Sequence, residues 1–173
     1  MQWTELVSYG WWARAGVPWL HVLAGMMWLG YIWYFNFTYH PTVSKIPQEY
    51  RPGAVRYILP DALFWLRWSA LATIVTGLVL AWMSGVLESG FRLGIDRHDA
   101  HATAIGIGMW LAILMAANVW FVIWPNQRTN LGYVPRIDAR RRARAARIAT
   151  LASRVNLMLS IPMLYGMTAA HFY

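Results

Sequence analysis

Apolar residues dominate four stretches of the chain, at about residues 17–39, 62–86, 100–124 and 148–170, named here spans one to four. With a rise of 1.5 Å per residue, a helix over any of these stretches is long enough to cross a hydrocarbon core of roughly 30 Å. None of them alternates between apolar and polar residues as the strands of a barrel do. The pattern predicts an all-α integral membrane protein, a four-transmembrane-helix bundle, formed by a single domain over residues 1–173.

Composition narrows the chemistry that such a bundle could carry. Hydrophobic residues make up 58% of the chain and charged residues only 13%, whereas about a quarter of the residues in a soluble domain are charged. The chain has no cysteine, which excludes disulfides, thiolate metal sites and haem attached covalently through cysteine. Any redox centre would have to be held by histidine, methionine or oxygen ligands.

Basic residues are distributed unevenly between the two ends of the bundle. Ten lie in the connections after spans one and three, against three at the opposite end: Lys45, Arg51, Arg56, Arg128, Arg136, Arg140, Arg141, Arg142, Arg144 and Arg147 against Arg14, Arg92 and Arg97. Because cytoplasmic loops carry the excess of Lys and Arg, both termini are predicted to be periplasmic in a bacterial inner (cytoplasmic) membrane. We interpret the arginine run before span four as a topology signal that could form a short surface helix, and not as a nucleic-acid site.

Three histidines, His21, His101 and His171, lie near the predicted periplasmic face, inside or at the edge of the spans, whereas His40 lies at the far end of span one. An imidazole in hydrocarbon is costly without a partner, so such residues are ligands, proton carriers or buried hydrogen-bonding groups. We predict haem b, with His21 and His101 as the axial pair and His171 as the alternate ligand. A carbonyl or a residue such as Asp99 would hold the second ring nitrogen.

Small residues follow two of these histidines at helical spacing. Ala104, Gly108 and Ala112 follow His101, and Gly25 follows His21. Such stripes could make room for a porphyrin, but they serve plain helix packing equally well.

Copper is the alternative metal. Met163, Met167 and His171 recur every four residues along span four, and thioether and imidazole ligands suit Cu(I). Methionines at this spacing are also typical of gap-filling core, so both interpretations stay open.

A second set of polar residues lies in the other half of the spans. It consists of Asn36, Arg67, Asn118, Arg154 and Asn156. The charge on Arg67 needs a partner, which could be a carbonyl, an asparagine or the carboxylate of a bound cofactor such as haem, unless the side chain snorkels to the interface. Asparagines at such positions are typical of structural contacts between helices.

Parts of all four spans resemble one known family. These are HVLAGMMWLG at 21–30, FWLRWSA at 64–70 with TGL at 76–78, NVWFVIWPNQ at 118–127 and SRVNLMLSIPM at 153–163. They are similar to the transmembrane domain of the membrane-bound urate hydroxylase family. Fuller members of that family append a periplasmic cytochrome c domain, which these 173 residues do not contain, so we expect a short form that passes electrons to another protein.

Three functions remain open from the sequence. The first is a haem-b-binding subunit that transfers electrons within a larger membrane redox complex or to a periplasmic cytochrome. The second is a stand-alone membrane oxidoreductase, resembling either urate hydroxylase or, through residues 21–30 with Tyr39 and His40, membrane protoporphyrinogen oxidase. The third is a structural or copper-handling accessory subunit, and a more distant similarity to copper-resistance membrane proteins supports it. Whether the chain is an enzyme is left undecided.

Overall fold

The computed structural model describes residues 10, 12–95, 99–169 and 172. Four long helices account for the spans and run over Arg14–Lys45, Arg51–Met83, Ala100–Asn130 and Ala139–Ala169. Each is long and apolar enough to cross a membrane, and the described residues include no strand. The predicted all-α bundle of a multi-pass membrane protein is therefore confirmed.

Two of the long helices contain a π-helical turn near the same end of the bundle. Span one passes from an α-helix over Val17–Trp33 through a π-helical turn over Tyr34–Tyr39 into His40–Lys45. Span three passes from Ala100–Asn118 through Val119–Ile123 into Trp124–Asn130. A π-helical turn adds a residue and so rotates the side chains that follow it, and such turns are frequent at functional sites.

The helix ends follow local sequence signals. Span three begins at Ala100 because the Asp99 carboxylate accepts a hydrogen bond from the Ala102 amide at 3.2 Å, as an N-cap does. Span two runs over Arg51–Tyr57 and Leu59–Met83 and ends three residues before the predicted boundary at residue 86. Gly85 follows with φ +71°, a value that glycine adopts without the Cβ clash of other residues.

The arginine run is part of span four and not a separate surface helix. The helix is continuous over Ala139–Ala169, which is 31 residues and therefore about 46 Å long. Since this length exceeds a hydrocarbon core of roughly 30 Å, the first turns, which hold the arginines, extend beyond it. A short helix over Leu87–Phe91 packs on span three at the opposite end.

The bundle consists of two helix pairs, span one with span two and span three with span four. Buried residues from all four helices form one core, including Trp28, Leu63, Met115 and Met163. We call the end with the connections at 46–50 and 131–138 the basic end, and the end with the connection at 84–99 the terminal end.

Candidate functional site

His21 is anchored to span two through one ring nitrogen. Its Nδ1 lies 3.1 Å from the Thr73 carbonyl oxygen and 3.2 Å from Thr76 Oγ1. A carbonyl can only accept, so Nδ1 carries the proton and donates it. Nε2, which makes no hydrogen bond within the described part of the chain, then carries the lone pair. Metal-ligating histidines commonly donate their other N–H to a carbonyl in this way.

Gly77 makes room for the His21 ring. A Cβ built at this position would lie 2.8 Å from His21 Cε1 and 3.2 Å from Nδ1, closer than carbon and nitrogen atoms pack without a shift. Sequence reasoning missed this contact. The only signal was the Thr76-Gly77 pair in a segment that resembles the urate hydroxylase family, and nothing in the spacing joined it to His21.

The small-residue stripe after His101 packs against span four. A Cβ built at Gly166 would lie 2.8 Å from the Ala104 carbonyl oxygen, and one built at Gly108 would lie 3.1 Å from Met167 Cε. Such close approach of two backbones is the usual role of small residues between membrane helices. Along Ala104 and Gly108 the structure therefore shows helix packing and not an opening for a porphyrin.

His21 and His101 lie on different helix pairs at the terminal end. His21 bonds to span two, whereas the helical face that His101 shares with Gly108 contacts span four. Their pairing on one haem stays a prediction. His171 and His98 lie outside the described residues, and the role of His171 as alternate ligand also stays a prediction.

The methionines proposed for copper are packed side chains. Met163 is buried in the core, and Met167 packs against it. Across residues 10, 12–95, 99–169 and 172, no group of three or more His, Asp or Glu side chains could hold a metal ion.

Arg67 contacts two indoles of span three near the basic end. Its guanidinium carbon lies 3.4 Å from the centre of the Trp124 ring and 5.6 Å from that of Trp120, distances typical of cation–π contacts. The sequence had suggested carbonyl, amide or carboxylate partners. The indoles were missed because their direction depends on the π-helical turn over Val119–Ile123.

Arg67 and His21 use different faces of span two. Arg67 precedes Thr76 by nine residues, which is two and a half helical turns, so the two positions point in opposite directions. A predicted contact between Arg67 and the carboxylate of a haem bound at His21 stays a prediction, and this placement does not favour it.

The asparagines near the middle of the bundle bond to one another and to backbone carbonyls. Asn118 Nδ2 donates to Asn156 Oδ1 at 2.7 Å, and Asn156 Nδ2 donates to the Met115 carbonyl at 3.1 Å. Asn36 Nδ2 donates to Ser153 Oγ at 3.0 Å. These contacts tie span four to spans one and three. His40 is at the basic end, with its ring 5.9 Å from that of Phe35.

Part of the chain matches a known protein family. Residues 96–173 match the family model described as urate oxidase N-terminal. The match covers spans three and four, less than half of the chain, and confirms the resemblance to a urate hydroxylase-like membrane domain. No curated protein and no solved structure matches the chain.

Proposed function

We propose that the chain is a haem-b-binding subunit of a redox complex in a bacterial inner membrane, with both termini periplasmic. His21 is the first axial ligand, and His101 or His171 is the second. Electrons pass to another membrane subunit or to a periplasmic cytochrome. The family match supports an oxidoreductase context, and the four membrane-length helices support the location.

The observation that carries the proposal is the anchoring of His21. Its Nδ1–H is held by the Thr73 carbonyl, and Gly77 leaves room for the ring. This arrangement fits an axial ligand, because it fixes the tautomer and leaves Nε2 for the iron. Haem, when bound, would supply one-electron transfer.

The test is a reduced-minus-oxidised visible spectrum with pyridine haemochrome analysis of the detergent-purified chain. We expect a b-type spectrum. The variants His101→Ala and His171→Ala then choose the second ligand, because only the variant that removes it should lose the low-spin spectrum. A folded wild-type chain without haem would contradict the proposal.

A stand-alone oxidoreductase is the second candidate, favoured by the urate oxidase description of the matching family. It predicts that urate or a related heterocycle reduces the isolated chain. Anaerobic addition of urate to the oxidised protein, followed by its visible spectrum, distinguishes the two candidates. Reduction without any partner protein supports the second, and no reduction supports the subunit. A structural or copper-handling accessory subunit, with copper on Met163, Met167 and His171, is the remaining alternative, and metal analysis of the same sample tests for copper.

A further inference from the structure

Arg67 is held in one orientation by the indoles of span three. Trp124 covers the guanidinium at 3.4 Å, and the Trp120 ring lies 5.6 Å away. Trp120 in turn meets Trp68 edge to face, with the ring centres 5.8 Å apart.

Two hydrogen-bond donors of this cluster have no acceptor among the described residues. Arg67 Nε and Trp120 Nε1 are both buried without a hydrogen-bond partner in the described part of the chain. Among the described residues, an ion pair joins Arg92 to Glu88. No carboxylate in that part of the chain forms an ion pair with Arg67. A charge inside a membrane span is usually paired with an anion or a polar group, and among the described residues Arg67 has the two indole faces as its partners.

The charge around the cluster is positive. Arg128 follows Trp124 by four residues in the helix Trp124–Asn130, so it lies on the same helical face as that indole. Arg67 and Arg128 both lie toward the basic end of the bundle, where most of the arginines lie. A planar guanidinium binds the oxygens of a phosphate or a carboxylate in pairs. The complementary ligand is therefore an oxyanion.

The cluster lies beside the lipid-facing surface. Phe64 and Trp68 flank Arg67 on span two, and their side chains are 45% and 46% exposed. Exposed aromatic side chains on a membrane-length helix face acyl chains. The oxyanion nearest to this lipid-facing surface is the phosphate of a phospholipid. Basic pockets between membrane helices on the cytoplasmic side bind such head groups.

We infer that Arg67, Trp120, Trp124 and Arg128 bind the phosphate of an anionic phospholipid at the basic end of the bundle. The site is independent of the haem proposal, because His21 contacts span two six to ten residues further along the helix and on a different face. Arg67 supplies the bidentate contact, Trp124 fixes its plane, Trp120 offers the indole N–H, and Arg128 adds charge.

The experiment is native mass spectrometry of the full chain, released from nanodiscs of mixed phosphatidylglycerol and phosphatidylcholine. We expect the wild type to retain phosphatidylglycerol. Arg67→Gln should lower the retained ratio about fivefold, since a basic residue near the surface contributes about 1 kcal/mol. Arg67→Lys should recover only part of it, because lysine lacks the planar fork. Arg154→Gln, an exposed arginine of span four, is the matched control and should leave the ratio unchanged.

Three results would overturn the inference. One is an unchanged lipid ratio in Arg67→Gln. Another is displacement of the lipid by millimolar inorganic phosphate, which would indicate a site for free anions. The third is loss of haem in Arg67→Gln with the lipid retained, which would assign the guanidinium to a haem carboxylate. If Arg67→Gln does not fold, Trp120→Phe removes only the indole N–H, and the same ratio decides, with a fall expected and no change contradicting it.

Discussion

The Asn118–Asn156 pair and His21 are both polar groups inside apolar helices, yet they use their polar atoms differently. Asn156 is fully buried, and both ends of its amide are bonded within the bundle. His21 is half-buried, and only Nδ1 is bonded. A polar group whose atoms are all paired stabilises packing, whereas the proposed haem would use the Nε2 atom that His21 keeps free beside its carbonyl anchor. Substitutions in the amide pair should therefore lower the free energy of unfolding, whereas substitutions around His21 should mainly change haem binding.

The largest effect on stability is expected at the contact between spans three and four. Gly166→Ala places a Cβ against the backbone of Ala104 and Gly108, so the helices must separate. The free energy of unfolding should fall by about 2 kcal/mol, measured by SDS titration in mixed micelles. Gly30→Ala is the control, because nothing lies within 4 Å of a Cβ there. Equal stability of the two variants would contradict the close contact.

A smaller loss is expected when the paired amides are separated. Asn156→Ala removes the hydrogen bonds that Asn156 makes with Asn118 and with the Met115 carbonyl and should lower the free energy of unfolding by about 1 kcal/mol. The haem content of the folded protein should not change. A double-mutant cycle with Asn118→Ala measures the pair, and additive losses would show that the amides do not interact.

Gly77→Ala should weaken the binding of the proposed haem and leave the free energy of unfolding nearly unchanged. The added Cβ displaces the His21 ring, while alanine in a helix recovers about 1 kcal/mol relative to glycine. We expect weaker haem retention and a shifted Soret band, measured against Gly30→Ala as control. A spectrum identical to that of the wild type would mean that Gly77 does not position the ring.

The smallest effect is expected for Trp33→Phe. It removes the hydrogen bond from Trp33 Nε1 to Ser160 Oγ at 3.2 Å and keeps an aromatic ring. The free energy of unfolding should fall by about 0.6 kcal/mol, the average for such bonds between membrane helices. A thermal shift assay in detergent can detect this change, and a loss as large as that of Asn156→Ala would show that the two bonds do not differ.

The sequence predicted the four helices because run length alone determines whether a helix can cross a membrane. It also identified His21, Arg67 and the asparagines as costly polar residues that need partners. It could not provide the partners themselves. The contact of Arg67 with Trp124 depends on a π-helical turn, which has no simple sequence signal. The contact of His21 with Gly77 depends on the register between spans one and two, which periodicity leaves open. The arginine run was expected outside the span, whereas it continues the helix because alanine and arginine are both strong helix formers.

The central claim is that His21 binds haem through Nε2. Pyridine haemochrome analysis of His21→Ala beside His40→Ala tests it most directly, since both variants remove one imidazole from span one. The account predicts that His21→Ala loses the b-type haem and that His40→Ala keeps it, because the His40 ring lies at the basic end beside Phe35. Retention of haem in a folded His21→Ala protein, or equal loss in both variants, would contradict the claim.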